Sequence, residues 1–207
     1  MANKIIFSID VEPDLHTGKH NGIRVGLKKF ESICDKYKVR PVLYVVASIM
    51  SKNKETFKRL AKKGWEISLH GYSHKRFDEM LYKEKEYEIK RSLEVFKKDL
   101  KIKPKGFRAP QHSIDSDTLD LLEKYGFKYD SSYTPLNLLQ LFFFPRKFSL
   151  WLKSFFSPIN PYKIRKNLIE IPPSSLLIPF VSLMLRVLPK WALYLYVKKI
   201  KLFYKKI

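Results

Sequence analysis

Two acids and two histidines are spaced so that they could do chemistry together. Asp10 and Glu12 stand two residues apart in KIIFSIDVE (residues 4–12), and His70 and His74 stand four apart in EISLHGYSH (66–74). Imidazoles placed where a strand runs into a glycine turn can converge on one point, and a divalent metal is the usual reason to converge them. The same spacing also suits two ordinary loop or core histidines, and the pair by itself does not choose. Side chains alternate along a strand, so Asp10 and Glu12 leave the first one on the same face. Two histidines and one carboxylate leave coordination positions open, as a hydrolytic metal site requires, and the second carboxylate is left over as a base.

For these residues to meet, the chain must bring distant segments to one place. Residues 4–12 read as an apolar strand, expected in the middle of a sheet. Residues 24–37 carry Val25, Leu27, Phe30, Ile33 and Cys34 at helical spacing, and 40–47 (RPVLYVVA) form a near-continuous apolar run typical of a strand buried on both faces. Residues 52–63 form a helix stopped by Gly64, and 65–69 alternate Trp65, Ile67 and Leu69 as a buried strand. A long helix over 83–100 points Tyr87, Leu93 and Phe96 inward. A short strand stopped by Pro110, a helix over 115–125 and a strand over 127–132 follow. Five strands alternating with four helices predict an α/β architecture with parallel strands. Groups at the C-terminal strand ends of such a fold share one mouth, where Arg108 of the fourth strand would join the acids and histidines.

The last third is less regular. Residues 136–156 are apolar with basic punctuation and a break at Pro145, 167–171 (NLIEI) read as a returning strand, and 180–188 and 191–204 read as helices. No repeat, linker or low-complexity tract marks a boundary. Residues 1–207 are therefore expected to form one domain, with a core over 4–135 that carries the motifs and a basic, aromatic part over 136–207. That part holds 13 Lys and Arg against one acid, Glu170, and so carries +12 of the net +21. Such a surface invites phosphate, nucleic acid or anionic lipid, although a solvated basic face has the same composition. The single cysteine, Cys34, excludes a disulfide framework and fits a reducing compartment. The N-terminus lacks the apolar core of a signal peptide, and no stretch offers the ~18 uncharged apolar residues of a membrane span. The expected location is the cytoplasm, with membrane association left open.

The segments FSIDVE, SLHGYSH and GFRAPQHSID…LLEKYGFKYDSS resemble the first three motifs of the polysaccharide deacetylase (NodB-homology) family. The DVE spelling is similar to its peptidoglycan-deacetylase-like and archaeal members. The resemblance covers residues 4–135 well and LIEIPPS (168–174) more loosely. It implies a distorted, incomplete β/α barrel. It also implies a hydrolase that removes acetyl groups from N-acetylated sugar units of a polysaccharide or lipid-linked glycan. Glu12, His70 and His74 would hold a divalent metal, commonly zinc, and Asp10 would be the base that takes a proton from water activated by it. Arg108 would pair with that base, and the backbone N–H of Gln111, after Pro110, would help to hold the oxyanion. Asp14 is a second candidate carboxylate, but Pro13 turns the chain between it and Glu12, so Glu12 is preferred.

One part of the family pattern is missing. The family usually carries a late histidine that protonates the leaving amine, and no histidine follows His112 here. The expected barrel therefore lacks its last strand, with His112 as an outer or surface residue and His16 and His20 as solvated loop histidines. The alternative is a catalytically impaired, carbohydrate- or partner-binding protein of the same fold. An acetylated glycan is the expected partner, with peripheral membrane contact through the basic part and no nucleic acid.

Overall fold

The computed structural model describes residues 5–14, 20–138, 148–176, 178–179 and 188–205. A seven-stranded sheet is built from β1 (Ser8–Val11), β2 (Val42–Val45), β3 (Glu66–Leu69), β4 (Gly106–Phe107), β5 (Tyr129–Asp130), β6 (Tyr162–Lys163) and β7 (Ile169–Glu170). Its order is β1-β2-β3-β4-β5-β7-β6, with every pairing parallel except that of β6 with β7. Helices α1 (Leu27–Lys36), α2 (Lys54–Lys62), α3 (Tyr82–Val95) and α4 (Ser116–Lys124) alternate with the first five strands. The sheet does not close, so the architecture is α/β with an incomplete barrel. Helices α5 (Phe148–Phe155) and α6 (Lys190–Lys205) and the hairpin β8–β9 (Ser175–Leu176, Ile178–Pro179) lie in the last third.

Register explains how the fold makes a site. One row of paired residues crosses the sheet: Val11, Val45, Leu69, Phe107, Asp130 and Glu170. All six close their strands, so the next residues leave the sheet along a single rim, and among them are Glu12, His70, Arg108 and Ser131. The apolar faces beneath are filled by Leu43, Val45, Leu69, Phe77, Phe107 and Phe127, all essentially inaccessible. Phe107 meets both Phe77 and Phe127 edge-on, at 5.2 and 6.1 Å between ring centroids. Edge-to-face contact adds to burial and fixes the stack.

Several local expectations need correcting. The first strand lies at the edge of the sheet, not its middle: among the described residues only β2 pairs with it. Ile5, Ile6 and Phe7 are exposed, and only the Phe7 carbonyl, which accepts from Val42 N–H, extends the pairing toward the N-terminus. In α1 the buried positions are Leu27, Glu31 and Cys34, whereas Ile33 and the preceding Val25 face outward. Tyr87 also faces outward, since α3 turns Glu88 and Ile89 toward the core. The helices end as expected: Asp115 caps α4 by accepting from Thr118 N–H, and Gly64 and Gly126 stop α2 and α4 at positive φ. The expected helix over 180–188 and much of the segment 136–156 fall outside the described residues. No helix among the described residues is long and apolar enough to cross a membrane.

Glycine at 106 is dictated by its parallel partner Tyr129. A Cβ there would stand 2.1 Å from Tyr129 Cζ. That ring cannot step aside, because its hydroxyl donates to Glu66 Oε1 (2.7 Å) and meets Ser68 Oγ (3.1 Å). Gly106→Ala is therefore expected to cost about 1–3 kcal/mol in urea unfolding. An unchanged midpoint would show that the ring is not so held.

Candidate metal centre

The rim brings together residues from two strand ends. Glu12 follows β1, His70 follows β3, and His74 lies four residues further on, at positive φ. Ligating atoms of Glu12, His70 and His74 all lie within 4.8 Å of one another. His74 Nε2 faces Glu12 Oε2 directly, and the two imidazole rings are 5.2 Å apart between centroids. His70 is buried, and its Nδ1–H donates to the Arg108 carbonyl (2.8 Å). A carbonyl can only accept, so the tautomer is fixed and the Nε2 lone pair is left for a ligand. Burial pushes His70 below the usual imidazole range, which keeps the ring neutral at pH 7. Neutral nitrogen donors with one carboxylate suit a divalent cation, and three protein ligands leave room for water or substrate. The donor set fits.

The turn between the histidines is held from beneath by Glu88 of α3. Its Oε2 accepts from the backbone N–H groups of Tyr72 (2.8 Å) and Ser73 (2.9 Å), and its Oε1 accepts from Ser73 Oγ (2.7 Å). Three donors at one carboxylate make the turn rigid and satisfy a buried charge. Nothing in the sequence singled out Glu88 from the other acids of a charged helix. Gly71, at φ +75°, completes the turn, and a Cβ there would press on Phe77 and Pro110.

Asp10 is set beside the cluster by Arg108. The guanidinium donates through Nη1 to Asp10 Oδ1 (2.8 Å), through Nη2 to Ser8 Oγ (3.1 Å) and Ser131 Oγ (3.0 Å), and through Nε to the Ser131 carbonyl (3.1 Å). Its face lies 4.0 Å from the Tyr44 ring centroid. Burial alone would raise the Asp10 carboxyl, but Arg108, with His70 and His112 beyond it, holds it at about 2. The group is an ionised acceptor at any ordinary pH, with about a third of its side chain open to solvent.

Pro110 opens a short turn in which Gln111 and His112 both adopt positive φ. The turn is tied to the segment after β5 by Ala109 N–H, which donates to Ser132 Oγ (2.8 Å), and by His112 Nδ1–H, which donates to the Ser132 carbonyl (3.0 Å). The Gln111 side chain is exposed and accepts from Arg76 Nη1 (3.3 Å). His112 is half-buried beside the cluster, close enough for Asp10 and His70 to act on it electrostatically. Burial, then Arg108, lowers it to about 4, so the ring is neutral at pH 7. Asp14 is used elsewhere: it accepts from the N–H groups of Asn21 and Gly22, both at 2.9 Å, at the start of the turn that leads into α1. His20 Nδ1 meets Asn53 Nδ2 at 3.0 Å, and His16 lies outside the described residues.

Comparison with known proteins agrees with this architecture. A family model described as polysaccharide deacetylase matches residues 17–129, more than half of the chain. The chain belongs to the polysaccharide deacetylase family. It is 29% identical to the peptidoglycan deacetylase-like protein FGM2 of Gibberella zeae, over 82% of this chain and 56% of that one. It is 30% identical to the peptidoglycan deacetylase of Helicobacter pylori, over 59% and 42%. The chain thus spans about half the length of the curated relatives it matches. Among solved structures, a putative polysaccharide deacetylase from Mycobacterium smegmatis superposes with a TM-score of 0.65 at 22% identity, over 82% of this chain and 58% of that one. Puue allantoinase gives 0.62 at 14%, over 82% and 61%. At such identities the superpositions speak for the polysaccharide deacetylase fold alone.

Replacing Glu88 with Ala is expected to free the Tyr72 and Ser73 amides, raising their hydrogen-exchange rates about tenfold or more. Glu88→Gln, which keeps an acceptor, should fall between. Equal protection in all three proteins would show that the turn holds itself.

Proposed function

We propose that the protein is a divalent-metal-dependent deacetylase acting on N-acetylated sugar units of a polysaccharide or lipid-linked glycan. The observation that carries this reading is the convergence of Glu12, His70 and His74 beside an ionised Asp10 that a buried arginine holds in place. Acetylated-glycan chemistry is brought by the family and by the peptidoglycan deacetylases among the relatives.

In this reading Glu12, His70 Nε2 and His74 Nε2 hold the ion. When bound, the ion polarises the acyl carbonyl and lowers the pKa of water at the site, zinc being the expected metal. Asp10 accepts the proton of the attacking water at Oδ2, because Oδ1 is engaged by Arg108 Nη1. The guanidinium also fixes the orientation of this carboxylate. The Gln111 backbone N–H, in the left-handed turn after Pro110, meets the developing oxyanion. Acetate and a free amine leave.

Acetate release from acetylated chito-oligosaccharides is expected to stop with chelator and to return with zinc. Asp10→Asn, which keeps shape and loses the base, should lower kcat/KM by about 10²–10⁴-fold while zinc still binds. Retained activity in that variant would remove Asp10 from its role, and activity indifferent to chelator would remove the metal. Contact of the basic C-terminal part with an anionic bilayer belongs to the same proposal. It predicts co-flotation with anionic but not neutral liposomes, and flotation without regard to lipid charge would count against it.

A further inference from the structure

The most deeply buried acids of the molecule take no part in the chemistry above. Asp130 of β5 and Glu170 of β7 are direct partners in the parallel register, and both residues are fully buried. Their outer oxygens are spoken for: Asp130 Oδ1 accepts from Ser132 Oγ (2.7 Å), and Glu170 Oε1 accepts from Tyr133 N–H (3.1 Å). As register partners on adjacent parallel strands, the two side chains leave the sheet on the same face. That leaves Asp130 Oδ2 and Glu170 Oε2, each buried and without a hydrogen-bond partner among the described residues, on neighbouring residues of one sheet face. Two carboxyl oxygens can bond only through a proton, and two ionised carboxylates side by side away from water would repel.

We propose that Asp130 and Glu170 share one proton and act as a positioning pair for the 109–112 turn, through Ser132. The chain of bonds is continuous. The Ser132 hydroxyl has one hydrogen, which Asp130 Oδ1 takes, so its lone pairs turn outward and accept Ala109 N–H (2.8 Å). The Ser132 carbonyl beside it takes His112 Nδ1–H (3.0 Å). Both anchors of the turn thus hang on one serine, and its rotamer hangs on the pair. The charged and titratable groups that face the pair are Arg108 at the end of β4, Tyr133 after β5 and Tyr162 of β6. With one proton the pair carries a single negative charge, which Arg108 partly offsets.

Burial, followed by Asp130 beside it, pushes the Glu170 carboxyl well above its usual range. An acid raised on folding favours the native state in its protonated form. That contribution is complete below the unfolded value and is lost as pH rises through the folded one. The second deprotonation would place two charges in a closed site, so the wild-type chain is expected to lose stability on the alkaline side.

Amide substitutions test the proton. In Glu170→Gln or Asp130→Asn, an amide N–H takes the place of the shared hydrogen and the outer oxygen still accepts. The pair then keeps its bonds and its single charge, with nothing left to titrate. In the double variant the outer oxygens still accept, but two NH₂ groups face each other and neither has an acceptor. Urea unfolding of the full chain from about pH 5 to 9 is expected to show an alkaline decline in the wild type that is absent in both single amides. The Ala109 amide should keep its hydrogen-exchange protection in the singles and lose it about tenfold or more in the double and in Glu170→Ala. Additive behaviour of the two amides, or the same alkaline limb in the wild type and Glu170→Gln, would overturn the proposal. A double variant too unstable to study, beside two well-folded singles, is itself the expected non-additivity.

The role in positioning rests on the reading of the Gln111 N–H as oxyanion donor. In acetate release Glu170→Ala should lower kcat more than it raises KM, while Glu170→Gln stays within about threefold on both. A wild-type chain that releases no acetate would sink the deacetylase reading and leave the stability and exchange results standing. An active enzyme whose kcat ignores Glu170→Ala would sink the positioning role alone.

Discussion

One guanidinium holds the working end of this molecule together. Arg108 follows β4 and reaches Asp10 and Ser8 on β1, Ser131 after β5 and the ring of Tyr44 on β2, and its own carbonyl receives the His70 imidazole after β3. Five neighbouring strands are thus referred to a single buried cation. Such a charge is tolerated only because nearly every N–H finds an acceptor and Asp10 neutralises it. Deleting Asp10 or Arg108 leaves the other stranded, which is costlier than the absence of both. The arrangement therefore sets the relation between the Glu12, His70 and His74 cluster and the Asp10 carboxylate through one rigid, planar group, a task that lysine, with its point charge and mobile stem, would do poorly.

Around that cation the backbone departs from ordinary conformations where the chemistry is concentrated. His74, Gln111 and His112 all lie at positive φ without being glycine, and each belongs to a turn that leaves the rim. Residues pay for such conformations unless their surroundings dictate them. Here the surroundings do so with side-chain acceptors. Glu88 grips the first turn by two amides, and Ser132 grips the second by an amide and an imidazole. The two devices are alike in kind: a buried acceptor, on α3 in one case and just after β5 in the other, fixes a strained loop.

Much of this was legible in the sequence because it depends on local period and on chain order. The alternation in 65–69 and the unbroken apolar run in 40–47 give strands, the intervening amphipathic stretches give helices, and parallel register then sends the residues after each strand to one rim. That is why Asp10, Glu12, His70, His74 and Arg108 could be nominated together. Pairing order was not legible. An apolar β1 reads as central, but apolarity does not say which side is covered, and Ile5, Ile6 and Phe7 are exposed at an edge. Tyr87 reads as inward on α3 only if the helix is phased by its aromatics, and the buried Glu88 shows that hydrogen bonding to the 72–73 amides set the phase instead. The acid pair was hidden for a related reason. Asp130 and Glu170 are far apart in sequence, and nothing short of strand order places them side by side.

The edge position of β1 has a consequence for how the protein is made. The Asp10–Arg108 contact closes a loop of 98 residues, and Asp10 sits on a strand with one neighbour instead of two. Closing so long a loop is entropically slow and must await everything between. During synthesis the first strand leaves the ribosome early, yet it finds its ionic partner only after three more strands' worth of chain have been laid down. A nascent chain stopped short of residue 108 would carry both histidines and both acids and still lack the cation that orients Asp10.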